Sequence, residues 1–148
     1  MLPIIPSISK ELLIKELSKE CFVRDTNYGS NEIYVVNQHN APNVLKEIGR
    51  LREVSFRAGG GGTGLDCDLD KFDTDKTCYQ QLVVWNPKDQ EVVGGYRFIL
   101  IRDAEKDESG APKLSTSHYF KFSSKFVSAY APYTIELGRS FVQPLYQP

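Results

Sequence analysis

Residues 79–102 place the tightest constraint on the fold. Tyr79 to Asn86 and Glu91 to Arg102 are two runs rich in β-branched and aromatic residues, separated by the turn Pro87-Lys88-Asp89-Gln90. Two such runs around a short polar turn predict an antiparallel hairpin. Arg97 lies in the middle of the second run, where a lone guanidinium would be expensive, so it requires an acidic partner or an anionic ligand. The chain offers Glu136 and five aspartates, Asp66, Asp68, Asp70, Asp73 and Asp75, crowded into residues 66–75. A further strand, Thr134 to Gln143, carries Glu136 and Arg139 among Ile135, Leu137, Phe141 and Val142. Charge in a buried strand must be paired, and ion pairing is the plain structural reading of these two. In an ideal strand they face opposite sides; Gly138 marks a place for a bulge that would bring them to one side.

Upstream, Ser9 followed by Leu12, Leu13 and Leu17 predicts a helix from Lys10 to Glu20. Turn residues Asn27 to Asn31 separate short strands at Cys21–Arg24 and Glu32–Asn37. Asn40 before Ala41-Pro42, with Val44, Leu45, Ile48, Leu51 and Ser55 at helical spacing, predicts a second helix to about Phe56. The run Gly59-Gly60-Gly61-Gly62-Thr63-Gly64 fits neither the GxxxxGK[ST] nor the GxGxxG phosphate loop, and follows a helix where those precede one; it reads as a mobile, substrate-gating linker. The aspartate run lacks the turn glycine and the final glutamate of a calcium loop, and reads first as solvated loop charge. The aromatic segment Tyr119 to Tyr133 gives no clear local structure and reads as core packing. The order of elements predicts an α+β domain, mostly antiparallel sheet with helices packed on it.

A formal net charge of -1 with 25% charged residues argues against nucleic acid as a partner. Three cysteines without CxxC spacing, and only His39 and His118 to join them, indicate neither a disulfide framework nor a metal site, and a reducing cytoplasm is the simplest compartment. The apolar start Met1 to Pro6 is broken by two prolines and fits neither a signal peptide nor a membrane span.

Four blocks in order carry a family resemblance: Arg52 to Phe56 (REVSF), Asp68-x-Asp70-x-x-Asp73, Val92-Val93-Gly94-Gly95-Tyr96-Arg97, and Glu136-Leu137-Gly138-Arg139-Ser140. Together they resemble the GNAT-type acyltransferases that use long-chain acyl donors. Two branches share them: the ornithine-lipid N-acyltransferases with related N-acyl amino acid synthases, often labelled haemolysins, and the acyl-homoserine-lactone synthases. The resemblance implies the N-terminal part of a GNAT-like fold. It assigns Arg52, Phe56, Asp70, Asp73, Arg97 and Arg139 to acceptor binding, Glu136 to proton removal from the acceptor amine, and Phe141 and Val142 to the acyl donor and its oxyanion. Asp68 stands where the lactone branch has glutamate, and the glycine run replaces its tryptophan, which favours the lipid-forming branch.

The implied reaction moves a fatty acyl group from an acyl carrier protein or coenzyme A thioester to the amine of an amino acid, with no permanently bound cofactor and no metal. The resemblance further implies that residues 1–148 form one domain, the N-terminal half of such an enzyme. The donor-binding half would be absent and the chain alone inactive, unless a second chain completes the sheet. Cytoplasmic location with peripheral contact at the inner membrane face is the matching expectation. The competing readings are a non-catalytic interaction module, a membrane-active haemolysin-like protein and a lactone-synthase-like enzyme.

Overall fold

A computed structural model describes residues 1–148. Five strands form one antiparallel sheet in chain order: β1 (Phe22–Asp25), β2 (Glu32–Val36), β3 (Gln80–Asn86), β4 (Glu91–Leu100) and β5 (Ile135–Val142). The hairpin expected over residues 79–102 is β3–β4, with Leu82 opposite Tyr96 and Gln81 opposite Arg97. Its second strand stops at Leu100, and Ile101–Asp103 turns away as a 3-10 turn. Gly94 and Gly95 are required by the two neighbouring strands. A Cβ on Gly94 would stand 2.4 Å from the Phe141 carbonyl oxygen, and one on Gly95 would stand 2.1 Å from that of Leu82.

Helices α1 (Lys10–Glu16) and α2 (Pro42–Ala58) pack on one face of the sheet. The first is four residues shorter than the expected Lys10–Glu20, because the chain turns over Ser18–Glu20 to bury Cys21 and enter β1. Glu16 is taken up by α2: its carboxylate accepts from the Val44 amide at 2.9 Å and from Asn43 Nδ2 at 2.6 Å. This satisfies an amide that the N-cap residue, Ala41, has no side chain to reach. Ser9 and Asn40 make no side-chain cap; Asn40 Oδ1 accepts from the Asn37 amide instead.

The strand alternation sorts residues by face. Tyr34, Val36, Val83, Trp85, Val92 and Phe141 form the core with Leu13, Leu17, Val44, Ile48 and Leu51 of the helices. A second, smaller cluster on the same side joins Tyr79, Ile99, Ile101, Leu114 and Ala131 to Phe72, Phe122 and Phe126. The aromatic segment, which folds into short turns at Phe126–Tyr130 and Ala131–Tyr133, supplies only Phe122 and Phe126 of its aromatics to this cluster; Tyr119, Phe120, Tyr130 and Tyr133 are exposed, so core packing does not describe the segment as a whole. The opposite sheet face, with Ile33, Val35, Leu82, Val84, Tyr96, Phe98 and Leu137, belongs to neither cluster; its members are half-buried and Leu137 is exposed. No helix is long and apolar enough to cross a membrane.

Candidate active site

The acidic run is folded. Asp70, the N-cap of a short helix α3 (Lys71–Thr74), and Asp73, its third residue, cap its start reciprocally: Asp70 Oδ1 accepts from the Phe72 amide at 2.9 Å, and Asp73 Oδ2 from the Asp70 amide at 3.2 Å. The run reaches α2 through a notch at Gly49, whose carbonyl accepts from the Asp68 amide at 3.0 Å. A Cβ there would lie 2.6 Å from Leu69 Cγ. Asp68 and Asp73 are buried, so they are not solvated loop charge.

Three arginines converge on these aspartates. Arg52, wholly buried on α2, donates to both oxygens of Asp73 at 3.1 and 3.2 Å and to Gln81 Oε1 at 2.5 Å. Arg97 donates to Asp70 at 2.8 Å and Asp73 at 2.9 Å, with its guanidinium 5.1 Å from the Tyr79 ring centroid. Arg139 approaches Asp68 at 3.5 Å and Asp70 at 3.6 Å, ion-pair distances without a hydrogen bond. Burial pushes the Asp68 carboxyl up, against the pull of Arg139 and Arg52. Asp70 is also half buried, but Arg97 holds its carboxyl below the usual range.

The bulge anticipated at Gly138 falls one residue later. Arg139 and Ser140 oppose the single residue Tyr96, and Arg139 adopts the left-handed conformation with φ 52°. That conformation is strained for a residue other than glycine. It turns Arg139 to the helix-bearing face that Glu136 already occupies. Glu136, however, has no arginine partner. Its carboxylate accepts from Tyr79 Oη at 2.8 Å, from Thr116 Oγ1 at 2.7 Å and from Ser115 Oγ. Burial, opposed by the Ser115 amide and reinforced by Glu136, lifts Tyr79 above the ordinary phenol range and keeps it a donor.

Two cavities meet at Arg139. One, of about 450 Å³, is lined by Asp70, Phe72, Arg97, Ser115, Thr116 and Gly138 together with Arg139; Glu136 sits behind the two hydroxyl residues. The other, of about 400 Å³, lies between Arg139, Ser55, Phe56 and the glycine run. The glycine run is not a free linker. Glu53, wholly covered, accepts from Thr63 Oγ1 at 2.7 Å, the Thr63 amide at 3.0 Å, the Gly64 amide at 2.9 Å and Arg57 Nε at 2.6 Å. Burial works against its charge, but these hydrogen bonds hold the carboxyl down at about 2.

Of the residues expected at the site, Arg52, Asp70, Asp73, Arg97 and Arg139 form one connected network, Phe56 lines the second cavity, and Glu136 adjoins the first. Phe141 packs into the main core and Val142 points to the open face; neither lines either of these two cavities. Tyr79, Gln81, Ser115 and Thr116 were missed. Gln81 was detectable, as a polar residue in phase with Val83 and Trp85; the two hydroxyls lie in a segment without periodicity. No group of three or more His, Cys, Asp or Glu side chains is placed to hold a metal ion.

A helix-backed antiparallel sheet with a bulged strand is consistent with an α+β N-acyltransferase-like fold, and sequence comparison supplies the family. Residues 51–148 match the acetyltransferase (GNAT) domain profile, and the chain belongs to that family. Over 144 residues it is 56% identical to the glycine N(alpha)-acyltransferase of Bacteroides thetaiotaomicron and 54% identical to that of Phocaeicola vulgatus. The alignments cover 97% of this chain but only 43% and 44% of those proteins, so the chain spans less than half their length. No solved structure matches.

Proposed function

We propose that this chain carries the acceptor side of an N-acyltransferase that moves a fatty acyl group from a thioester onto the amine of a small amino acid. The observation that carries the reading is the setting of Glu136, a buried carboxylate with no Lys or Arg at ion-pair distance. Arg52, Arg97 and Arg139 are engaged by Asp68, Asp70 and Asp73, and Lys71, which lines the same cavity, does not pair with Glu136; three hydroxyl donors alone hold its carboxylate. A buried carboxylate without a cation is a receptor for one, and a substrate ammonium is the cation that acyl transfer brings.

An ammonium must lose a proton before it is nucleophilic. Thr116 and Ser115 line the 450 Å³ cavity and donate to Glu136, so they form the relay by which that proton reaches the carboxylate. The neutral amine then attacks the thioester carbonyl, forming the carbon–nitrogen bond; the carbon–sulfur bond breaks, and the second proton lost by the amine nitrogen goes to the departing thiolate, so that amide and free thiol result. The relatives' names favour glycine as acceptor, while the four sequence blocks also fit ornithine. Acyl carrier protein or coenzyme A serves as donor carrier, with Phe141 and Val142 assigned to the donor end by family resemblance.

The test uses this chain and a chimera in which it replaces the aligned segment of the B. thetaiotaomicron acyltransferase. Each is incubated with acyl carrier protein or coenzyme A thioesters and a panel of amines including glycine, ornithine and homoserine lactone precursors. Amide-linked product is expected from the chimera, with Glu136→Gln lowering kcat by roughly 10²-fold or more. Wild-type turnover by that variant at saturating substrate would remove Glu136 from the mechanism. Liposome lysis with no acylated product would favour a membrane-active protein over an enzyme.

A further inference from the structure

The 400 Å³ cavity beside the glycine run has a polar inventory that the reaction above does not use. Ser55 is 8% exposed, and its Oγ has no hydrogen-bond partner. A helical serine ordinarily returns its hydroxyl to the carbonyl one turn back. Here the hydroxyl is left unpaired on a residue that lines the cavity. Arg139 lines the same cavity from a strained bulge, one-third exposed and engaged only at 3.5–3.6 Å. The remaining wall offers little to a charged ligand. Phe56 and three glycines contribute no polar side chain, and Thr63 Oγ1 is committed to Glu53.

We infer that this cavity holds the carboxylate of the acceptor amino acid, with the Arg139 guanidinium and Ser55 Oγ as its two polar contacts. A guanidinium suits the two oxygens of a carboxylate, and the hydroxyl supplies the further donor that its lone pairs call for. Calling the ligand the acceptor rests on the acyl-transfer reading; a preference for small carboxylates does not. Arg139 also lines the 450 Å³ cavity, so an α-amino acid held on it keeps its amine at the rim that Thr116 and Ser115 face. The cavity also discriminates between acceptors. The only carboxylate holding its glycine wall, Glu53, already accepts four hydrogen bonds, so a second ammonium such as that of ornithine finds no counter-charge there.

The experiment is ligand-observed NMR and calorimetry on the 148-residue protein with glycine, acetate, ornithine, methylamine and inorganic phosphate. Glycine and acetate are expected to compete for one site, with ornithine weaker and methylamine unable to displace acetate. Ser55→Ala is expected to weaken both about tenfold, Ser55→Thr to retain most of the affinity by keeping the hydroxyl, and Arg139→Gln to abolish binding. Thermal melts of each variant identify any that fails to fold, in which case the Thr variant and the acetate–methylamine competition still decide. Undetectable acetate binding, unchanged affinity in Ser55→Ala, or a preference for methylamine or phosphate would overturn the inference. Ser55-dependent glycine binding without amide product from the chimera would reject acyl transfer and leave the carboxylate site standing. Amide formation insensitive to Ser55→Ala would do the reverse.

Discussion

Glu53→Gln isolates the clasp that fixes the glycine run, and its size can be worked from the structure. The native carboxyl sits at about 2 against a usual 4.5. The unfolded chain therefore binds more protons than the native one between those values, and stability falls as pH drops through that window. At roughly 1.4 kcal/mol per pH unit, the clasp contributes about 3 kcal/mol above pH 5. Its cover is a single loop, so nearby solvent makes this an upper figure. Glutamine keeps one acceptor oxygen but points an N–H₂ at a shell made entirely of donors, Arg57, Thr63 and Gly64. Urea titrations at pH 7 should show a loss of about 2–3 kcal/mol, and thermal melts a fall of roughly 4–12 °C. At pH 2 the two proteins should converge. Amide exchange at Thr63 and Gly64 should accelerate in the variant at pH 7. A variant within about 0.5 kcal/mol of wild type at pH 7, or a wild-type–variant gap that does not narrow toward pH 2, would refute the clasp.

Two further substitutions probe the scaffold. Arg52→Ala strips a fully buried cation from Asp73 and Gln81 and should cost about 3–5 kcal/mol by chemical denaturation; a loss below about 1 kcal/mol would mean Arg97 alone neutralises Asp73. Gly95→Ala places a methyl against the Leu82 backbone oxygen, which cannot move without breaking the β3–β4 ladder; a loss of at least about 3 kcal/mol or of soluble protein is expected, and near-native stability would show that the sheet yields there.

The hairpin, both helices and the edge strand were legible because their periodicity is strong and local. The buried Arg97 was legible as a demand for acid, and its partners, Asp70 and Asp73, were among the candidates named. What could not be read was which acid serves which cation. Glu136 and Arg139 lie three residues apart on one strand and ended on the same face, yet they do not pair: Arg139 goes to Asp68 and Asp70, Glu136 to hydroxyls. That choice depends on where residues 66–75 and 115–116 land, which tertiary packing decides. The glycine run misled for a related reason. Its composition speaks of freedom, and the restraint comes from Glu53 on the preceding helix, a residue whose burial no local pattern announces.

The open face of the sheet has a consequence for how the protein behaves among its own copies. Aliphatic and aromatic side chains from β2, β3, β4 and β5 stand there side by side without a covering layer, while the formal net charge is only -1. Long-range repulsion is therefore too weak to keep two molecules apart, and each encounter that brings two such faces together frees the water over both. Attractive second virial coefficients, growing on warming and insensitive to salt, are the expected colloidal signature. Leu137→Glu, at a position 61% exposed on this face, takes the net charge from -1 to -2 and should make them less attractive; unchanged coefficients would show that this face does not drive the association.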